Sequence, residues 1–331
     1  RAGVDVLLSD VSAEHVRTAS GLGAGRPVAD DDVPRLVVVA VPPDHLGRSV
    51  ARALSETDAV VTDVGSVKTR PLAEVAAAVG PDLLRRYVGS HPMAGSERSG
   101  PLAATAALFD GRPWAVVPHA TSDPAAVELV AALAEVCGAA AVRLSPEEHD
   151  QAVARTSHLP HLMAVLMAGQ LAGAPGDHLA LSGQGVRDVT RVAGSDPALW
   201  QQIVVANADA VLTQLGEVRT RLDDLIGAIG DGRRDDLGAL LDRGVAGTQA
   251  IPGKHGGPAR ATTSVFVSVP DHPGELARLF ADAGESGVNI EDVHIDHDPA
   301  RDTGLVELLV AEASAAFLTS SLESRGWVTH R

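Results

Sequence analysis

The feature that most constrains this chain is a pair of uninterrupted apolar, β-branched runs, residues 36–41 (L-V-V-V-A-V) and 59–64 (A-V-V-T-D-V). Neither alternates apolar with polar, so neither suits a strand with one wet face. Both fit strands buried on two faces of a parallel sheet. Each gives way to a turn and then to helical spacing. Val41-Pro42-Pro43 leads into 45–54, and Gly65-Ser66-Val67-Lys68 leads into 71–79, where Pro71 suits a first-turn position. Ahead of them, residues 4–9 read as a strand ending in Asp10. After them come a strand before His91, a strand at 114–118, a helix over 123–137 and a strand at 140–144. Strand alternating with helix predicts an open, mostly parallel, Rossmann-like α/β sheet over residues 1–145.

Beyond Ser145 the texture changes. Residues 146–250 hold no β-rich run, and helical periodicity predicts segments near 146–156, 159–172, 177–193, 196–229 (broken) and 233–246. Ser145-Pro146-Glu147-Glu148 is a helix start, with Ser as N-cap and Pro at the first position. An all-helical second domain of this kind is expected to complete an active site and to dimerise. Residues 251–261 (I-P-G-K-H-G-G-P-A-R-A) read as a linker. Residues 262–331 then predict strand 263–269, helix 274–285, strands 290–297 and 304–310, helix 313–324 and strand 327–330. That is a βαββαβ order, a small ferredoxin-like unit.

Composition removes several classes of function. The formal charge of −16 argues against nucleic acid and anionic membranes, and 2% aromatic residues leave few ring platforms for bases. The single cysteine, Cys137, excludes a disulfide framework and a Cys-based metal site. With no signal peptide or long apolar run, the sequence predicts a soluble cytoplasmic protein. A small anionic substrate remains compatible with local arginines.

In open parallel sheets, ligands sit beyond the carboxyl ends of the strands. Asp10, Pro42-Pro43, Gly65-Ser66 and Gly89-Ser90-His91 all fall there and are expected to line one crevice. His91 lies in a glycine-rich stretch, 88–100 (V-G-S-H-P-M-A-G-S-E-R-S-G), as its one group able to move a proton near pH 7. The bland alternative is a surface turn with an idle histidine. Asp10, an acid ending the second strand of a dinucleotide fold, would bond the adenosine ribose and favour NAD over NADP. Such a fold opens with strand, G-x-G-x-x-G and helix. Here only Arg1-Ala2-Gly3 precedes, read as the end of that helix, so the first strand and glycine loop are expected to be missing from this chain. Gly21–Gly25 (G-L-G-A-G) is not expected to replace them.

In the helical part, His158 and His161 of S-H-L-P-H share a helix face. No third ligand has metal-site spacing, so no metal is expected, and substrate contact competes with one capping and one packed histidine. Arg187 and Arg191, at i and i+4, can converge on a carboxylate or simply solvate a helix face. Ser195-Asp196-Pro197 looks like a cap for the next helix, which carries Trp200.

Four of these segments together resemble the prephenate dehydrogenase family of tyrosine biosynthesis, with its arogenate and cyclohexadienyl siblings. They are V-T-D-V-G-S-V-K (61–68), G-S-H-P-M-A-G-S-E (89–97), S-H-L-P-H (157–161) and R-D-V-T-R-V-A-G-S-D-P-A-L-W (187–200). The last region, with P-D-H-P-G-E-L (270–276) and G-V-N-I (287–290), resembles amino-acid-binding ACT domains. The resemblance implies NAD-dependent oxidative decarboxylation of prephenate, or of arogenate, by a homodimer joined through its helical domain. It implies His91 as general base toward the 4-hydroxyl, Ser66 orienting the imidazole beside the nicotinamide, and Asp10, Val41, Pro42, Gly65 and Ser66 around the cofactor. Arg191 would clamp a substrate carboxylate, supported by His158, His161, Arg187 and Trp200. Lys68 is kept as scaffold, and tyrosine is the implied effector of the ACT domain. A β-hydroxyacid dehydrogenase would need a lysine base in the helical domain, and neither Lys68 nor Lys254 lies there. A non-catalytic amino-acid sensor is the remaining alternative.

Overall fold

A computed structural model describes residues 3–95, 100–251, 261–297 and 303–330. The expectations for Arg1, Ala2, the 252–260 part of the linker and the 96–99 part of the glycine-rich stretch lie outside the described residues. The chain divides into two compact units, Arg1–Leu241 and Asp242–Arg331.

In the first unit the strands are β1 (Leu7–Leu8), β2 (Arg26–Pro27), β3 (Leu36–Val39), β4 (Val60–Asp63), β5 (Gly89–Pro92), β6 (Pro113–Val117) and β7 (Ala140–Arg143). The two β-branched runs pair in parallel, Leu36 opposite Val60 through Val39 opposite Asp63. Val61 bonds to Arg86 and Val88, which carries the parallel pairing on to the segment entering β5. The sheet is more mixed than expected, because β5 runs antiparallel to β6 while β6 and β7 are parallel. A two-residue pair, β1 with β2, stands as a separate small sheet. The strand expected at 4–9 is thus reduced to Leu7–Leu8.

Helix Pro43–Glu56 buries Leu46, Gly47, Val50, Ala51 and Leu54, one stripe at i, i+3/i+4 spacing. Its leucines and valine meet Val39, Val61, Val75 and Tyr87. Each such side chain contributes roughly 1.5–3 kcal/mol by leaving water. Gly21–Gly25 is a helix end: Leu22 caps Ala13–Gly21, and Gly23 turns the chain at φ +78° toward β2.

The remainder of the unit is helical: Pro146–Val153, Leu159–Leu171, Gly176–Leu179, Gln184–Thr190, Pro197–Ala206 and Ala208–Gly230, with Arg234–Gln249 running past its end. The expected Ser145 cap is a full capping box, with Glu148 reaching back to the Ser145 N–H. Instead of a break before S-H-L-P-H, a π-helical stretch, Ala154–His158, joins two helices. Pro160 has no N–H to give to the preceding turn, which is where a widened turn costs least. Asn207 breaks 196–229 in two.

The second unit has strands β8 (Thr262–Pro270), β9 (Ile290–His297), β10 (Thr303–Ala311) and β11 (Val328–His330) and helices Glu275–Glu285 and Glu312–Ser324. The sheet is antiparallel in the order β11-β8-β10-β9. Alternate residues Val265, Val267, Val269, Val306, Leu308 and Val310 pack with Leu279, Leu318 and Leu322 of the helices.

Candidate active site

The site lies in the first unit, at the carboxyl end of β4, on β5, and along the two helices joined by the π turn. His91 is not past a strand end, as the sequence suggested, but within one: it sits on β5 opposite Ala115, with Ser90 fully buried beside it. Two-sided pairing, to β4 through the preceding residues and to β6, holds its backbone firmly.

Beneath it is a buried polar network. Asp63, at the end of β4, is 0% exposed and Lys68 1%. They form an ion pair, and Lys68 Nζ also donates to the Ser90 carbonyl at 2.7 Å. Tyr87 Oη donates to the second Asp63 oxygen at 2.8 Å, and Gly65 N–H to the first at 2.9 Å. Ser90 Oγ, accepting from Thr62 Oγ1 at 3.1 Å, donates to the Asp63 carbonyl at 2.8 Å. Burial, reinforced by Asp63, pushes the Tyr87 phenol well above its ordinary value, so it stays a donor. Lys68, kept as scaffold from the sequence, is buried within this network.

Above it runs a relay that the sequence reading missed. His91 Nδ1 is 3.0 Å from His149 Nε2, and His149 Nδ1 is 2.9 Å from Asp150 Oδ1. Asp150 accepts the backbone N–H of Lys68 at 2.8 Å and of Thr69 at 2.9 Å. Burial alone would raise its pKa, but the bonds from His149, Thr69 and Lys68 outweigh it and hold the carboxyl below its usual range. Asn207 Nδ2 donates to the Asp150 carbonyl at 2.8 Å and reaches His158 Nδ1 at 3.2 Å. His158 therefore accepts at Nδ1 and keeps its proton on Nε2. The only hint in the sequence was a His-Asp pair one turn beyond the Ser145 cap, there read simply as a helix start.

Burial, then the charges of Lys68, His149 and His158, push the pKa of His91 well below 6.5. Burial pushes His158 down to about 4 and His161 down as well. All three imidazoles are neutral at pH 7. His161 stacks flat on Trp200, centroids 3.5 Å apart and planes 1° apart, while His158 meets the same indole edge-on at 6.1 Å. Nδ1 of His161 is buried with no hydrogen-bond partner among the described residues. The structure thus brings His158, His161 and Trp200 together as one cluster.

The remaining expected residues are more dispersed. Ser66 makes no hydrogen bond among the described residues, and the Nδ1 of His91 faces His149. Arg187 and Arg191 are exposed and still one turn apart, the Arg191 N–H donating to the Arg187 carbonyl at the end of Gln184–Thr190. Asp196 caps the next helix, donated to by Ala198 N–H at 2.9 Å. Asp10 is exposed past β1, accepting the Ser12 N–H at 2.7 Å. Val41, Pro42, Gly65 and Ser66 follow the carboxyl ends of the parallel pair β3–β4. An exposed carboxylate past β1 and residues that follow the carboxyl ends of β3 and β4 are the kinds of group that meet the ribose and nicotinamide halves of a dinucleotide. No described residue is assigned to the diphosphate.

Residues 1–143 match the family model described as prephenate dehydrogenase, nucleotide-binding domain, and residues 145–243 match prephenate dehydrogenase, dimerization domain. The chain belongs to the prephenate dehydrogenase family. It is 37% identical over 339 residues to the probable prephenate dehydrogenase NovF of Streptomyces niveus, covering 99% of this chain and 93% of that protein. It is 36% identical to the cyclohexadienyl dehydrogenase of Zymomonas mobilis, over 68% of this chain and 80% of that one. Among solved structures it is similar to Aquifex aeolicus prephenate dehydrogenase in complex with hydroxyphenyl propionate and NAD+. That match has 26% identity and a TM-score of 0.68, over 75% of this chain and 90% of the other.

Proposed function

We propose that this family member is an NAD-dependent prephenate dehydrogenase, converting prephenate to 4-hydroxyphenylpyruvate with loss of carbon dioxide. The observation that carries the reading is His91: strand-held, neutral at pH 7, and bonded through Nδ1 to a buried imidazole–carboxylate pair. A neutral imidazole fixed at one nitrogen is the form a general base requires.

His91 takes the proton of the substrate's 4-hydroxyl as the C4–H bond breaks. NAD+, when bound, accepts the hydride from C4. Asp10 would accept from the ribose, with Val41, Pro42, Gly65 and Ser66 lining the nicotinamide end. The ring carboxylate leaves as carbon dioxide, its bonding electrons complete the aromatic ring, the C4 oxygen takes its proton back from His91, and the pyruvyl side chain is untouched. Arg191, supported by Arg187, would clamp a substrate carboxylate in bidentate fashion. His158, a neutral donor at Nε2, and His161, with an unused Nδ1, would contact substrate oxygens from the indole of Trp200. Burial of both imidazoles favours donors that need no counter-charge.

The test is His91→Asn. The kcat is expected to fall by about two to four decades with modest change in KM. An unchanged kcat removes His91 from the chemistry. Prephenate and arogenate differ in a keto group against an amino acid, so both are assayed in parallel; faster turnover of arogenate would make the chain an arogenate dehydrogenase.

A homodimer through the helical domain is part of the proposal, supported by the match to a dimerization domain and by Leu222, Ile226 and Ile229. These three form an exposed apolar stripe on Ala208–Gly230. The βαββαβ order and β11-β8-β10-β9 sheet support reading the second unit as a ferredoxin-like ACT domain with an amino-acid effector, tyrosine by the family's chemistry. No described helix is long and apolar enough to cross a membrane, which is compatible with a cytoplasmic enzyme.

A further inference from the structure

His91 and His149 meet nitrogen to nitrogen at 3.0 Å, ring planes 66° apart. With one proton on each ring, a hydrogen bond between the two imidazoles needs one donor and one acceptor, so two arrangements are open. The far side of His149 decides between them. Its Nδ1 faces Asp150 Oδ1 at 2.9 Å, and an ionised carboxylate can only accept. Asp150 is kept in that form by two backbone donors, Lys68 N–H and Thr69 N–H. The proton of His149 therefore sits on Nδ1, its Nε2 offers a lone pair, and His91 must donate to it.

We infer that the His149–Asp150 pair fixes His91 as its Nδ1–H tautomer and thereby selects Nε2 as the nitrogen that receives the substrate proton. This is the less favoured tautomer of a free histidine side chain, so the pair has a bias to overcome. His149 touches no reacting atom; it is a positioning residue. Lys68 braces the arrangement at both ends. Its N–H holds Asp150, and its Nζ holds the Ser90 carbonyl next to His91. The electron and proton balance of the reaction is unchanged: the proton of the 4-hydroxyl goes to Nε2 as the hydride leaves and returns from Nε2 to the C4 oxygen as carbon dioxide departs, while Nδ1–H stays bonded to His149.

The kinetic part of this inference rests on His91 being the base, whereas the tautomer does not. The experiment therefore starts with the full chain, ¹⁵N-labelled at histidine and free of ligands at pH 7.5. Long-range ¹H–¹⁵N correlations report the protonation of each ring nitrogen, and the His91 signals are those lost in His91→Asn. A protonated Nδ1 and bare Nε2 are expected; a protonated Nε2 overturns the inference outright. His149→Leu is then expected to release the tautomer and lower kcat about ten- to a hundredfold, part of a general base's usual contribution, with KM changed less than about twofold. His149→Gln, whose side-chain carbonyl can accept from His91 Nδ1–H, is expected to regain part of that loss. If His149→Leu keeps both the Nδ1–H form and full kcat, His149 positions nothing. If the tautomer is as stated but His91→Asn retains kcat, the base assignment falls and the tautomer stands.

Discussion

Replacing Lys68 by Met tests whether the ion pair under β5 is the strut described above. Methionine keeps most of the stem's volume, so packing changes little, but the ammonium is lost from a fully buried position. Asp63, 0% exposed, is left with the neutral donors Tyr87 Oη and Gly65 N–H, and the Ser90 carbonyl loses its donor. Removing one partner of a buried pair costs about 3–5 kcal/mol, because the other charge stays buried and uncompensated. For a unit of this size that corresponds to a Tm lower by about 10 °C. Urea unfolding followed by circular dichroism gives the first quantity and calorimetry the second. The double variant Lys68→Met/Asp63→Asn removes the stranded charge and is expected to recover at least half the loss. A single-variant cost below about 1 kcal/mol, or a double variant no more stable than the single one, refutes the argument that an ionised pair occupies this interior.

Two further outcomes follow from the same geometry. His158 has a pKa of about 4 when folded against an ordinary 6.5, so between those pH values the unfolded chain binds a proton that the folded chain refuses. Stability is therefore full above about pH 6.5 and is lost as pH falls toward 4, by at most about 3 kcal/mol from this group. Denaturant unfolding at pH 7 and pH 4.5 measures the slope, which His158→Asn should flatten; an equal slope in the variant assigns the loss elsewhere. Arg191→Ala is expected to raise the KM for prephenate at least about tenfold with a smaller change in kcat, as loss of a charged hydrogen bond to a carboxylate does. Unchanged substrate affinity places the clamp elsewhere.

The fold was legible wherever a single period governs a segment. The β-branched runs at 36–41 and 59–64 pair as parallel strands, as expected, although Val38 is exposed and only Val39 of the first strand is fully buried, and the capping box at Ser145 announced its helix. The second unit's strands and helices fall within a residue or two of the pattern. What the sequence did not expose were features set by tertiary partners. Gly89–Pro92 has the glycine, serine and proline of a turn, yet β6 pairs with it and makes it a strand. Nothing local signals that β5 runs antiparallel to β6, because direction depends on the path of the connection between them. His91, His158, His161 and Trp200 stood out through motif spacing. Asp63 and Tyr87 did not, since their pairing spans 24 residues and only the folded sheet brings them together.

His149 and Asp150 were the costliest omission, and the reason is physical. In sequence they lie in the first turns of a helix, where acidic residues need no explanation beyond the helix dipole. In the structure Asp150 instead receives N–H donors from the start of Thr69–Ala78, so one carboxylate ties the opening of a sheet-domain helix to the helical domain. The same carboxylate orders His149 and, through it, the candidate base. Seating the helical domain against the sheet and aligning His91 are then one event. A substitution that loosens the seam at Thr69 or Asn207 is therefore expected to reduce kcat before it unfolds the chain, and one that merely trims the surface helices is not.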